Sequence, residues 1–130
     1  MTPRELKART HRFALSVARL LRQLPPGFDS ETLHRQLFRA ATSVAANYRA
    51  VCRARSRREF VSKLGVVVEE ADESDFWLEF GVDLELLPSA AVQKLREEVN
   101  ELLAIFTSSR KTAEAGLRRA RRQKGGERPR

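Results

Sequence analysis

Apolar residues recur along this chain in alternating steps of three and four, the spacing that puts them on one stripe of an α-helix. The first stripe is Leu6, Thr10, Phe13, Val17, Leu20 and Leu24. It stops at LPPGFDS, where Pro25, Pro26 and Gly27 end a helix and Asp29 or Ser30 offers a side-chain oxygen to cap the next. The second helix carries two adjacent stripes. One runs Leu33, Leu37, Ala40, Val44, Asn47 and Val51, and the other His34, Phe38, Ala41, Ala45, Tyr48 and Cys52. Two stripes predict burial on two sides, and the small residues Ala40, Ala41, Ser43, Ala45 and Ala46 let a neighbouring backbone come close, so this helix is expected at the centre.

Ser56 with Glu59 three residues on is a capping-box pattern, S-R-R-E, which predicts a third helix after almost no loop. Its stripe is Phe60, Leu64, Val67, Ala71, Ser74 and Leu78, ending near Gly81. Pro88 and Ser89 introduce a fourth with Val92, Leu95, Val99, Leu102 and Phe106 inward. The fold class is therefore all-α, an antiparallel up-and-down four-helix bundle over residues 1–111. From about Thr112 the apolar period fades into GLRRARRQKGGERPR, and residues 112–130 are expected to form a basic, disordered tail unless a partner orders them.

Composition narrows the function classes. The 130 residues suffice for one domain with a modest core. The longest aliphatic run, LGVVV at residues 64–68, is far too short for a membrane span, and MTPRELKARTHRF has no apolar signal region, so a cytoplasmic protein without a membrane partner is expected. Cys52 has no second cysteine to pair with. The net charge of +8 hides three blocks: +10 over residues 1–68, −9 over 69–107 and +7 over 108–130. Such blocks suit nucleic-acid backbones or contacts between copies of the chain.

Catalytic chemistry finds no foothold. A di-metal bundle needs Glu-x-x-His on two helices plus two further inward carboxylates, and the chain has one such pair, Glu31 and His34. Ser43, Ser56, Ser62 and Cys52 have no histidine at a neighbouring helical step to act as base, and no glycine-rich phosphate loop is present. The expectation is a non-enzyme with no catalytic residue, metal or cofactor.

Charged surfaces remain. Arg49, Arg53, Arg55, Arg57, Arg58 and Lys63 crowd the corner between the second and third helices, where guanidinium forks and free helix amides suit phosphate oxygens. Against this stands a plain solvated corner, with Arg53 near the negative end of a helix. Across antiparallel helices two and three, residues whose numbers sum to a constant lie level. This puts Arg39 near Glu70 and Arg35 near Glu73 or Asp75, as inter-helix or subunit ion pairs. Asn47, on an apolar stripe, is expected to specify packing register rather than bind a ligand.

In order, LPPGFDSETLHRQLFRAATSVAANYRA and then RSRREFVSKLGVVVEEADESDFWLE resemble the bacterial four-helix bundle protein family. It includes proteins encoded in intervening sequences of large-subunit ribosomal RNA genes and is related to the accessory variability determinant of retroelements. Ser43, Asn47, Ser56, Phe60, Glu70, Glu73 and Trp77 match its pattern, whereas Ala50 stands where many members have Glu. The resemblance implies a ring-like homopentamer without catalytic residues, and relatives that engage nucleic acid and a reverse transcriptase. The leading expectation is an oligomeric bundle that binds RNA or DNA through its arginine corner and basic tail. The alternative is a self-assembling protein-interaction scaffold with no nucleic-acid role.

Overall fold

A computed structural model describes residues 1–126, so the last four positions of the expected tail lie outside the described residues. Four helices follow in order: α1 (Pro3–Leu21), α2 (Phe28–Cys52), α3 (Arg57–Asp83) and α4 (Ser89–Gly126). Each packs on the next along the chain, α1 and α4 close the ring through a narrower contact, and the diagonal helices meet only through side chains in the core. Arg39 meets Glu70 while Leu33 lies against Gly81, and Asp75 meets Arg96 while Gly65 lies against Arg110. Numbers rise on one helix as they fall on its neighbour, so α2–α3 and α3–α4 run antiparallel.

The expected stripes form the core. Val17, Leu37, Val44, Val67, Leu78 and Leu102 are fully buried, each worth about 1.5–3 kcal/mol of apolar burial. Leu24, Phe60 and Leu95 are only partly covered but pack against that core. The second stripe of α2 departs from expectation. Ala41 and Tyr48 are buried, whereas His34, Phe38 and Cys52 face solvent. The reason lies in the ring geometry: α2 is flanked by α1 and α3 and faces α4 only across the core, so its outer side has no neighbour to cover it. The centre is shared by α2 and α3, each with two broad interfaces.

Helix ends follow local chemistry, with two surprises. Thr2 caps α1 in a complete capping box, its hydroxyl accepting from the Glu5 amide at 3.1 Å while the Glu5 carboxylate accepts from the Thr2 amide at 2.8 Å. That amide bond holds the Glu5 carboxyl below its ordinary range. The start of α2 lies earlier than expected, with Gly27 at φ 143° as its N-cap and neither Asp29 nor Ser30 capping it. Only glycine adopts this backbone without strain. Ser56 caps α3 as expected by accepting from the Glu59 amide at 3.0 Å, but the Glu59 carboxylate turns to Lys63 at 3.6 Å instead of completing the box.

Gly81 is required by close approach. A Cβ there would stand 2.5 Å from Leu87 Cδ1 and 3.0 Å from Leu33 Cδ2. Its carbonyl accepts from the amides of Leu86 and Leu87 at 2.9 and 3.1 Å, which folds the α3–α4 connection back onto the core.

The largest difference from expectation is α4. Residues 112–126, read as a tail, continue the helix without a break. TAEAGLRRARRQK is composed largely of strong helix formers, so propagation from the packed part of α4 needs no apolar stripe.

Candidate nucleic-acid interface

Arg49, on the last turn of α2, and Arg53 and Arg55, in the connection to α3, converge with Lys63 on one recess of about 470 Å³. Ala46, Ala50 and Glu59 complete its wall. The short connection brings these cations together. Ser56 turns the chain directly into α3, so the end of α2 and the first turns of α3 stand side by side. Glu59 is the recess's one carboxylate. Glu59 lies within reach of Lys63, while Arg49, Arg53 and Arg55 make no ion pair among the described residues.

The other two arginines of the corner go elsewhere. Arg57 lays its guanidinium along α4, so close that a Cβ on Gly116 would stand 2.5 Å from Nη1. Arg110 makes the reciprocal contact, its Nη2 3.1 Å from where a Cβ of Gly65 would be. The missing side chains of two glycines thus let α3 and α4 each seat an arginine from the other. Glu114 Oε1 lies 3.3 Å from Arg110 Nε, but off the line of a hydrogen bond, so the contact is electrostatic. Arg58 is exposed and does not line the recess.

The acidic face of α3 is largely occupied by partners within the chain. Arg39 donates to Glu70 at 3.2 Å and to Glu73 at 2.6 Å, as expected for Glu70 from level positions on α2 and α3. The Arg39 hydrogen bond, with a weaker one from Trp77 Nε1 at 3.4 Å, holds the Glu73 carboxyl below its ordinary range against the opposing effect of burial. Arg35 meets neither Glu73 nor Asp75. It lines a recess with Arg22, Ser30 and His34, while Asp75 is taken by Arg96 of α4 at 2.8 Å and by Asn100 at 3.0 Å. Level position sets height along a bundle and not direction around the helix: Asp75 is about 200° around α3 from Glu73.

Two further ionic links were not anticipated. Arg96 also reaches Glu79 at 2.8 Å, and Arg9 of α1 grips Glu98 and Glu101 of α4, the latter at 3.3 Å. The T-P-R-E pattern at residues 2–5 could have revealed the α1 cap, but no local signal pairs Arg9 with residues some ninety positions away.

Asn47 is half-buried, and its amide nitrogen donates to the Ser43 carbonyl at 2.9 Å. This bond is internal to α2, so it satisfies the carboxamide without tying α2 to a neighbour. Tyr48 stacks on Phe106 with ring centroids 5.4 Å apart, and burial, with Cys52 one turn away, pushes its phenol above the ordinary value. Phe60 packs against the core as well. An exposed aromatic ledge lies at the far end of α3, where Phe76, Trp77 and Phe80 contact one another at 5.0–5.7 Å and Phe76 is 53% exposed. No helix among the described residues is long and apolar enough to cross a membrane.

Comparison with known proteins agrees with this architecture. The chain is similar to a crystal structure of a protein of unknown function from the S23 ribosomal protein family of Bacteroides thetaiotaomicron, at 26% identity and a TM-score of 0.77, over 85% of this chain and 99% of that one. A comparison with curated proteins found no match. A family model described as 23S rRNA-intervening sequence protein matches residues 5–108, which take in most of α1, all of α2 and α3 and the first half of α4, and the chain belongs to that family.

Proposed function

We propose that this protein is a non-enzymatic, self-associating helical bundle that binds RNA or DNA through phosphate contacts from Arg49, Arg53, Arg55 and Lys63, supported by the basic end of α4. One observation carries this reading: several cations converge on one open recess beside a single carboxylate, whereas Arg39 and Arg96 at the middle of the bundle are each held by two carboxylates of α3. Guanidinium groups without a protein partner are ready to take phosphate oxygens bidentately. Assembly into a ring of copies would repeat the recess around one axis and raise avidity for a long polyanion.

The test is fluorescence anisotropy with mixed-sequence RNA and DNA across a salt series. Binding is expected to weaken steeply with salt and to discriminate little between base sequences. Undetectable affinity at low salt for every probe would sink the proposal.

A second reading, assembly as a protein-interaction scaffold, draws on the exposed ledge of Phe76, Trp77 and Phe80. Glu70 and Glu73 give it less support, since Arg39 of the same chain already holds them. Under this reading, Phe76→Ser with Phe80→Ser lowers the molecular mass measured by light scattering, and nucleic acid has no effect on assembly.

A further inference from the structure

The family match ends at residue 108, yet α4 runs to Gly126. Gly116 meets Arg57, the first residue of α3, so everything after it projects past the end of the bundle at the arginine corner. Residues 118–125 are all exposed. At a rise of 1.5 Å per residue, the ten residues from Leu117 to Gly126 form a free helix about 15 Å long.

Its charge has a direction. Arg118, Arg119, Arg121 and Arg122 fall within an arc of roughly 160°, centred about 140° away from the Gly116 face that meets α3. Within residues 117–126 the arc holds no carboxylate and no apolar side chain, and Glu114, one turn earlier on that side, lies beside Arg110. A protein partner would be expected to find some apolar surface at the middle of such a patch, and a membrane would require an apolar opposite face, where this helix has Leu117 beside Ala120, Gln123 and Lys124. The like charges repel one another at three- and four-residue spacings, a strain that a polyanion relieves.

Resting on the nucleic-acid reading above, we infer that the overhanging end of α4 enters the major groove of B-form DNA, with its arginines on the flanking phosphates while the recess at Arg49, Arg53 and Arg55 holds the adjoining backbone. A helix 10–12 Å across with its side chains matches a major groove about 12 Å wide. The major groove of an A-form RNA duplex is too narrow to admit it, and a single strand offers no groove. The preformed helix therefore selects duplex DNA among polyanions that the recess alone would not distinguish.

The experiment uses the full chain and three probes of one sequence: a 24-base-pair DNA duplex, the matching RNA duplex and the single DNA strand. Anisotropy titrations are run from about 50 to 300 mM salt. The wild type is expected to bind the DNA duplex at least tenfold more tightly than either other probe. The variant carrying R118Q, R119Q, R121Q and R122Q, its helicity checked by circular dichroism, loses that preference. Its log affinity against log salt flattens by about 3 to 4 units, near 0.9 per phosphate contact. Equal wild-type affinity for the three probes, or an unchanged slope in the variant, overturns this inference while leaving nucleic-acid binding intact. Failure of the wild type to bind any probe overturns both.

Discussion

The arginines at the middle of the bundle and those at its α2–α3 corner share one chemistry and meet opposite circumstances. Arg39 and Arg96 stand opposite the acidic face of α3, and each guanidinium is held by two carboxylates. Arg49, Arg53 and Arg55 sit where α3 has only begun and its acidic run lies several turns away. The difference teaches that the charge of a patch matters less than whether the fold has already spent it. Paired cations orient helices, and unpaired cations are available to a ligand. Arg57 stands between the classes: it makes no ion pair among the described residues, yet its guanidinium rests on the α4 backbone at Gly116.

That contrast can be broken most sharply at the corner. Replacing Arg49, Arg53 and Arg55 together with Gln should reduce the salt dependence of nucleic-acid binding by about 3 units of slope. The thermal midpoint should stay within a degree or two, since these side chains make no ion pair or hydrogen bond among the described residues. A collapse in stability with unchanged binding would reverse the assignment of these residues. At the paired site the effects should exchange: Arg96→Ala strands Asp75 and Glu79 and is expected to cost about 1–2 kcal/mol by urea denaturation. Nucleic-acid affinity should change less than twofold.

Gly116→Ala tests the intermediate case. Its neighbour is the flexible end of Arg57, which can swing away, and a helix gains about 0.5–1 kcal/mol from Ala over Gly. The variant should therefore be slightly more stable and should move Arg57 into the available set, with binding equal to or tighter than that of wild type. A loss of stability would show that the Arg57 contact with α4 is worth more than helix propensity.

The smallest effect concerns Arg39. Its partners are partly exposed, so Arg39→Gln should cost only about 0.2–1 kcal/mol near neutral pH. The Glu73 carboxyl is lowered in the folded state, so its contribution is present above the unfolded value of about 4.3 and fades as pH falls through the lower folded value. Stability curves of wild type and variant should stay parallel above about pH 5 and converge as pH falls through the lowered folded value. Curves still separated at pH 2 would mean that Arg39 acts through packing of its stem.

Much of the molecule was legible residue by residue. The steps of three and four named nearly every core position, from Leu6 on α1 to Phe106 on α4, because one helix face must be apolar whatever it packs against. Ser56 announced the start of α3 for an equally local reason. Other features escaped. Asp29 and Ser30 are good caps by type, yet the open backbone of Gly27 begins α2 before them. The stripe of His34 and Phe38 looks buried on a wheel, but burial needs a neighbour, and the ring of four supplies none there.

The candidate site divides in the same way. The crowding of arginines around Ser56 was written in the chain, since residues close in sequence at a tight turn cannot be far apart in space. Which arginines remain available was not, because that depends on what arrives from elsewhere: Gly116 beneath Arg57 and Glu59 beside Lys63. Periodicity and capping are properties of one helix and its own side chains. Direction around the axis, the reach of α4 past the bundle end and the matching of Asp75 to Arg96 rather than Arg35 arise between helices. Their energies exist only once packing has set the helices' rotation and offset.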